Sequence, residues 1–183
     1  MPSVTFAHGV ASAPDLFLTG LEDLALAATV AGGVTKVSAT GAVVTIAEQT
    51  FHLSGTDLVW TRAYGIRVLT GGTLDEVRLA DTGVRQVTLT GLGLDLATLR
   101  SAALTEASSA DPGAIEALLY PLTWTYQGSA APDQLLPDAV SADLVPRNLG
   151  GDDAFHLKGG FVETFFSGDG DDTVLGGGGI DVL

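Results

Sequence analysis

Residues 148–183 carry a periodic pattern that limits how this part of the chain can fold. The segment is rich in glycine and acidic residues, and Lys158 is its one basic residue. Large apolar residues and acidic residues each recur at the same intervals of ten, nine and nine positions. The apolar column is Phe155, Phe165, Val174 and Leu183, and the acidic column is Asp153, Glu163, Asp172 and Asp181. Two columns in one register predict a repeat in which each unit makes one turn and one short strand.

The spacing of the repeat has a physical reason. Six residues turn the chain, and glycine is needed where φ is positive or where backbones crowd a cation. The next three residues form a short strand whose central apolar side chain points inward. Exposed carbonyls and one carboxylate per turn are the oxygen ligands that calcium prefers. With no cysteine in the chain and one histidine, His156, in the segment, zinc and copper sites are disfavoured. The alternative is a solvated linker that binds no metal.

The units SGDGDDTVL and GGGGIDVL fit the nonapeptide G-G-x-G-x-D-x-U-x, where U is a large apolar residue. The segment therefore resembles the RTX family of hemolysin-type calcium-binding repeats. This resemblance implies a right-handed parallel β-roll in which two nonapeptides make one turn and calcium lies between repeats n and n+2. It further implies that Asp153 pairs with Asp172 and that Glu163 pairs with Asp181. The implied carbonyl ligands are those of Gly151, Gly168, Gly170, Gly177 and Gly179.

The first turn of the segment departs from the repeat. Glu163 is longer than the usual aspartate, Phe161 occupies a glycine position, and one extra residue separates the first two units. We therefore expect the first turn to be degenerate. The chain also stops inside a repeat, so we expect a fragment from the front of a longer protein, with more repeats and the export signal beyond Leu183.

Upstream, residues 1–94 are dominated by short runs of Val, Thr, Leu and Ile separated by glycines, which predicts a β-rich region. Strands are expected at 34–38, 43–47, 49–53, 58–61, 66–69, 74–79 and 84–89. The string Leu-Thr-Gly at 18–20, 69–71 and 89–91 favours a solenoid, and a sandwich-like sheet is the alternative. Chance recurrence of a common tripeptide explains the string equally well.

The weakly charged stretch 24–47 is predicted to form two or three buried strands and not a membrane span, because Lys36 lies in its middle. Two short helices are expected only further along the chain. Asp95 is a good N-cap for a helix over 95–107 whose Leu96, Leu99, Ala103 and Leu104 share one face. Asp111 and Pro112 predict a second helix over 112–120.

The predicted fold class is mainly β, with a domain at 1–147 and the start of a β-roll at 148–183. Within the first domain, helices fall at about 95–120, and a proline-rich connector at 121–147 carries one strand around 122–126. The chain has 22 acidic and 8 basic residues, a formal charge of −14, which repels nucleic acid. We therefore expect no nucleic-acid partner.

No catalytic signature is present, so we expect a non-enzyme. The sequence contains no G-x-S-x-G, no phosphate-binding loop and no zinc-protease histidine pair. The three histidines, His8, His52 and His156, are interpreted as surface or strand residues. Three upstream acids, Asp75, Glu76 and Asp81, are interpreted as scattered solvated carboxylates.

The leading hypothesis is a calcium-binding structural or adhesive module of an extracellular protein that uses the type I secretion machinery. No basic residue precedes Lys36, so an N-terminal secretory signal is not expected. The alternative is the non-catalytic part of a secreted hydrolase. A third hypothesis, a carbohydrate-binding β-domain, depends on exposure of Trp60, Trp124 and Tyr126, which we expect to lie in the core.

Overall fold

The computed structural model describes residues 3–7, 19–46, 49–63, 65–80, 86–108, 113–119, 125–127, 134–135, 154–156, 164–165 and 170–176. The strands are β1 (Ser3–Ala7), β2 (Val34–Val37), β3 (Gly41–Ile46), β4 (Gln49–Ala63), β5 (Ile66–Ala80), β6 (Gln86–Asp95), β7 (Thr125–Gln127), β8 (Gln134–Leu135), β9 (Ala154–His156), β10 (Thr164–Phe165) and β11 (Thr173–Leu175). The α-helices are α1 (Thr19–Leu26), α2 (Leu96–Ser108) and α3 (Glu116–Leu119), and a π-helical turn at Ala27–Ala31 extends α1.

Strands β2 to β6 form an antiparallel meander in which each strand pairs with the next along the chain. Strand β1 adds to the free edge of β6, also antiparallel. The chain is mainly β, as predicted, but the solenoid and sandwich-like expectations for residues 1–94 are wrong. Two of the Leu-Thr-Gly strings lie inside long strands, in β5 and β6, so they do not mark the corners of a solenoid.

The hairpin β4–β5 replaces four of the predicted strands with two strands of 15 residues each. Gly55 and Gly72 fall between the predicted strands, but they lie at irregularities in the pairing that bend the hairpin. Gly72 has φ +96°, and a Cβ atom there would collide with the carbonyl group of Asp57. The turn of the hairpin instead contains Gly65, with φ +85°. Beyond the bend, Arg67 reaches β2, where its Nη1 donates to the Thr35 carbonyl at 2.8 Å.

The stretch 24–47 begins as helix, so the prediction of strands there is wrong for residues 24–31. Leu21, Leu24, Ala25 and Ala28 are buried at helical spacing, which puts one apolar stripe against the core. Gly32, with φ +87°, ends the helical segment, and its N–H donates to the Ala27 carbonyl at 3.0 Å. Among the described residues, no helix is both long and apolar enough to span a bilayer.

The helices cover one face of the meander and enclose a single hydrophobic core. Arg100 donates a hydrogen bond to the Thr29 carbonyl, which joins α2 to the π-helical turn. Leu104 was predicted on the apolar face of α2, but it is 42% exposed, and Ala102 is buried in its place. The most fully buried large side chains are Phe51, Leu24, Leu69, Leu79, Leu89, Leu96, Ile115 and Leu119.

Helix α2 begins where the sequence predicts, because Asp95 is its N-cap. The Asp95 Oδ1 atom accepts hydrogen bonds from the backbone N–H and the hydroxyl of Thr98, both at 2.7 Å. These bonds, that of the hydroxyl first, hold the pKa of Asp95 below its ordinary value of 3.8. Helix α3 falls inside the predicted range 112–120. The Ile115 N–H, just before α3, donates to Glu106 of α2 at 2.5 Å.

Replacing Asp95 with alanine should lower the melting temperature by about 3 °C, because two N-cap hydrogen bonds are lost. Asp95→Asn keeps a cap acceptor and should lose less at neutral pH. Since the folded pKa is lowered, the stabilisation by the charged cap is present above 3.8 and is lost as the pH falls through the folded pKa. Thermal melts of the three proteins at neutral pH and at about pH 2 check this. Equal melting temperatures at neutral pH would contradict it.

Gly72→Ala should lower the free energy of unfolding by about 3 kcal/mol, because the new methyl group meets a backbone carbonyl while φ stays positive. Gly65→Ala is the matched control. Its φ is similar but no atom lies within 4 Å of the new Cβ, so the loss should be about 1 kcal/mol. Urea unfolding measures both losses. If the two variants were equally stable, the bend would not depend on close approach at Gly72.

Candidate metal centre

The short strands of the second half of the chain pair in parallel, unlike those of the meander. Strand β7 pairs with β1, β9 pairs with β7, and β11 pairs with β9. Strands β8 and β10 pair with each other in a separate sheet. From β7 to β11, successive strands therefore alternate between the parallel end of the nine-stranded sheet and the two-stranded parallel sheet.

The register between β9 and β11 matches the period of the repeat. Phe155 is the partner of Val174, and the flanking pairs are Ala154 with Thr173 and His156 with Leu175. Each partner lies 19 residues further along the chain, which is the length of two repeat units here. The intervening unit supplies β10 to the other sheet.

Val174 points inward, as the apolar column predicts. It is half-buried and packs against the hydrophobic core, while Thr173 and Leu175 on either side are exposed. The prediction is confirmed for this one member of the column. The side chains of Phe155 and Phe165, and all of Leu183, fall outside the part of the chain that the structure describes.

Two of the nine predicted metal ligands lie among the described residues. Asp172 directly precedes β11 and is partly buried, and Gly170 is exposed with φ +142°, a conformation that favours glycine. The other seven lie outside the described residues, and their coordination stays a prediction. They are Asp153, Glu163, Asp181, Gly151, Gly168, Gly177 and Gly179.

The described residues bring together no group of three or more histidine, aspartate or glutamate side chains that could hold a metal ion. That set includes one of the four predicted carboxylates, Asp172.

The parallel pairing begins earlier in the chain than the repeat columns. The connector at 121–147 was predicted to carry one strand, but it contributes both β7 and β8. Thr125 and Gln134, which begin these strands, are nine residues apart. Gln134 of β8 pairs with Thr164 of β10, and each of the two follows an acidic residue, Asp133 or Glu163. This nine-residue step is the signal that could have revealed β8 from the sequence.

A second polar constellation, which the sequence did not predict, lies on the meander face opposite the helices. Lys36, Val43, His52 and Arg78 are cross-strand partners in one row over β2 to β5. An open cleft of about 460 Å³ lies along this row and is also lined by Glu76. These residues are far apart in sequence, and only the strand register brings them together. The interpretation of His52 as a strand residue is confirmed.

The expectation that the aromatic residues lie in the core is wrong for Trp60, which is 44% exposed. The Arg67 guanidinium carbon lies 5.6 Å from the centroid of its ring. Trp124 and the side chain of Tyr126 lie outside the described residues.

Comparisons with family models, with curated proteins and with solved structures found no match to this chain. The parallel register and the repeat columns are therefore the observations on which a function can be argued.

Val174→Asn should destabilise the pairing of β9 with β11 by about 1–2 kcal/mol, because a half-buried apolar side chain becomes polar. Leu175→Asn is the matched control, since Leu175 is 53% exposed and should cost less than about 0.5 kcal/mol. Hydrogen exchange of the backbone amides of β9 and β11 measures both effects. Equal exchange rates in the two variants would show that the centre of the strand is not anchored to the core.

Proposed function

We propose that this chain is a calcium-binding module of the RTX type, and that its short parallel strands are the start of a β-roll. The observation that carries the proposal is the parallel pairing of β9 with β11 across two repeat units, with β10 in the other sheet. A solvated linker, the competing interpretation, gives no reason for this register.

The register explains how the acidic column would gather ligands. Asp153 precedes Ala154 and Asp172 precedes Thr173, and these two strand residues are partners. Neighbouring strands are about 4.8 Å apart. Carboxylates that directly precede paired residues therefore come within reach of one cation. Glu163 and Asp181 would form the equivalent pair on the other side, where the degenerate first turn makes the poorer site.

Bound calcium would stabilise the folded chain and would not take part in a reaction. Carboxylates held one strand apart repel each other unless a cation lies between them. The binding free energy of calcium is then part of the free energy of folding. A chain of formal charge −14 can leave the cell unfolded through the type I machinery and fold where external calcium is millimolar. We therefore propose an extracellular, non-enzymatic, structural or adhesive role.

Asp172→Ala should raise the calcium concentration at the midpoint of binding by about tenfold, because a formed site loses one of its six to eight oxygen ligands. Glu163→Gln should change the midpoint by less than about threefold, since the turn around Glu163 is degenerate. Isothermal titration with calcium, together with circular dichroism, measures both midpoints.

Asp171→Ala is the control for charge, because it removes the same carboxylate one residue away and outside the acidic column. It should change the midpoint by less than about threefold. If Asp171→Ala and Asp172→Ala raised the calcium midpoint equally, the effect would come from net charge and not from the loss of a ligand. An unchanged calcium midpoint in all three variants would contradict the calcium proposal.

A further inference from the structure

The open face of the meander concentrates basic groups in an otherwise acidic chain. Lys36 and Arg78 are exposed and His52 is half-buried, and all three lie in the cross-strand row described above. Lys36 and Arg78 are two of only eight lysine and arginine residues, against 22 acids. The row therefore places two cationic side chains and an imidazole on one face of the sheet, where they attract negative charge.

The cleft along the row is shaped by the row beside it. Gly41, Ser54 and Glu76 are cross-strand partners there. These three residues line the cleft together with the basic row, and the cleft holds about 460 Å³. This volume falls in the range of sites that take a small ligand or one or two units of a polymer.

The donors of the cleft are available to a ligand. In the part of the chain that the structure describes, the side chains of Lys36, His52 and Arg78 form no hydrogen bond or ion pair. Along this row, Lys36 on β2 and Arg78 on β5 are three strand spacings apart, or roughly 14 Å. The long side chains of Lys36 and Arg78 can therefore both contact one anionic group, each from its own side. The imidazole N–H of His52 lies between them.

We propose that this cleft binds an acidic sugar unit, a uronate or sulfated sugar within a glycan. An oxyanion matches the planar guanidinium of Arg78 and the point charge of Lys36. Sugar hydroxyl groups match Ser54 and the acceptor oxygens of Glu76, which would repel a ligand made of closely spaced charges. The chemistry therefore selects a ligand whose charged groups are separated by sugar hydroxyl groups.

This inference gives the proposed adhesive role a ligand, but it does not require calcium. The test is isothermal titration of the full chain in EDTA with three hexasaccharides: an oligogalacturonate, a chondroitin sulfate and a neutral cello-oligosaccharide. We expect an acidic hexasaccharide to bind, weakening with added salt, and the neutral one not to bind. Binding of the oligogalacturonate would show that a carboxylate is sufficient. Binding of the chondroitin sulfate alone would show that the sulfate is needed, because that glycan carries carboxylates too.

Arg78→Gln and Lys36→Gln should each weaken the binding of the acidic sugar by about tenfold, since each removes a charge-assisted contact. Arg62→Gln is the matched control, because Arg62 is exposed on β4 outside the cleft and should change affinity by less than about twofold. All three positions are exposed, so the melting temperatures should stay within about 2 °C of the parent.

Three outcomes would overturn the proposal. Binding that appears only with calcium would assign the sugar carboxylate to the repeat ions. If Arg62→Gln weakened sugar binding as much as the cleft variants do, the effect would come from net charge and not from the cleft. Equal or tighter binding of a hexaglutamate peptide, or no binding of either acidic sugar at millimolar concentration, would exclude an acidic glycan as the ligand. Asp172→Ala should leave the affinity in EDTA unchanged, so failure of the calcium proposal can be told apart from failure of this one.

Discussion

Backbone pairing along both edges of strand β1 joins the two kinds of β-structure in this chain. One edge is antiparallel to β6, and the other is parallel to β7. The same backbone positions serve both partners, because Thr5 lies opposite Thr88 on one side and Gln127 on the other. Strands of two or three residues, such as β7 to β11, are far too short to be stable alone. They need a preformed edge, and β1 provides it, because it pairs with the meander on one side and with β7 on the other.

This arrangement implies an order of folding. The meander forms from neighbouring strands and from helices that pack on them, so most of its contacts are local in sequence. Strand β7 then joins β1 across more than a hundred residues, which is slower and costs more loop-closure entropy. Strand β9 then adds to β7, and β11 adds to β9, as in other stacked repeats, where a terminal cap supplies the first surface. Calcium would act at this last stage.

Local signals in the sequence were reliable predictors here, and signals that depend on pairing were not. The cap at Asp95 and the inward position of Val174 follow from a few neighbouring residues, and both are confirmed. Helix α1 was missed because its valine- and alanine-rich continuation also fits buried strands, although the i, i+3, i+4 spacing from Leu21 was present. Gly72 falls between two predicted strands because glycine commonly marks a turn. In the structure it lies inside β5, where it permits the close backbone approach that bends a long hairpin.

The candidate sites show the same division. The acidic column is periodic, so its positions could be predicted from the sequence, although only Asp172 of its four members lies among the described residues. The basic row has no period, because Lys36, His52 and Arg78 become neighbours only when the four strands β2 to β5 adopt one register. No property of any single strand specifies that register.

The two proposed sites lie on one continuous ladder, yet they should act independently. The row that contains Arg78 continues through Thr88, Thr5, Gln127 and His156 to Leu175 on β11. Five strand spacings separate β5 from β11, or about 24 Å. The Debye length at physiological ionic strength is about 8 Å, so the charge of a bound calcium ion is largely screened at the cleft. Coupling between the sites would then have to pass through the pairing of β1, the one strand here with the meander on one edge and the parallel array on the other.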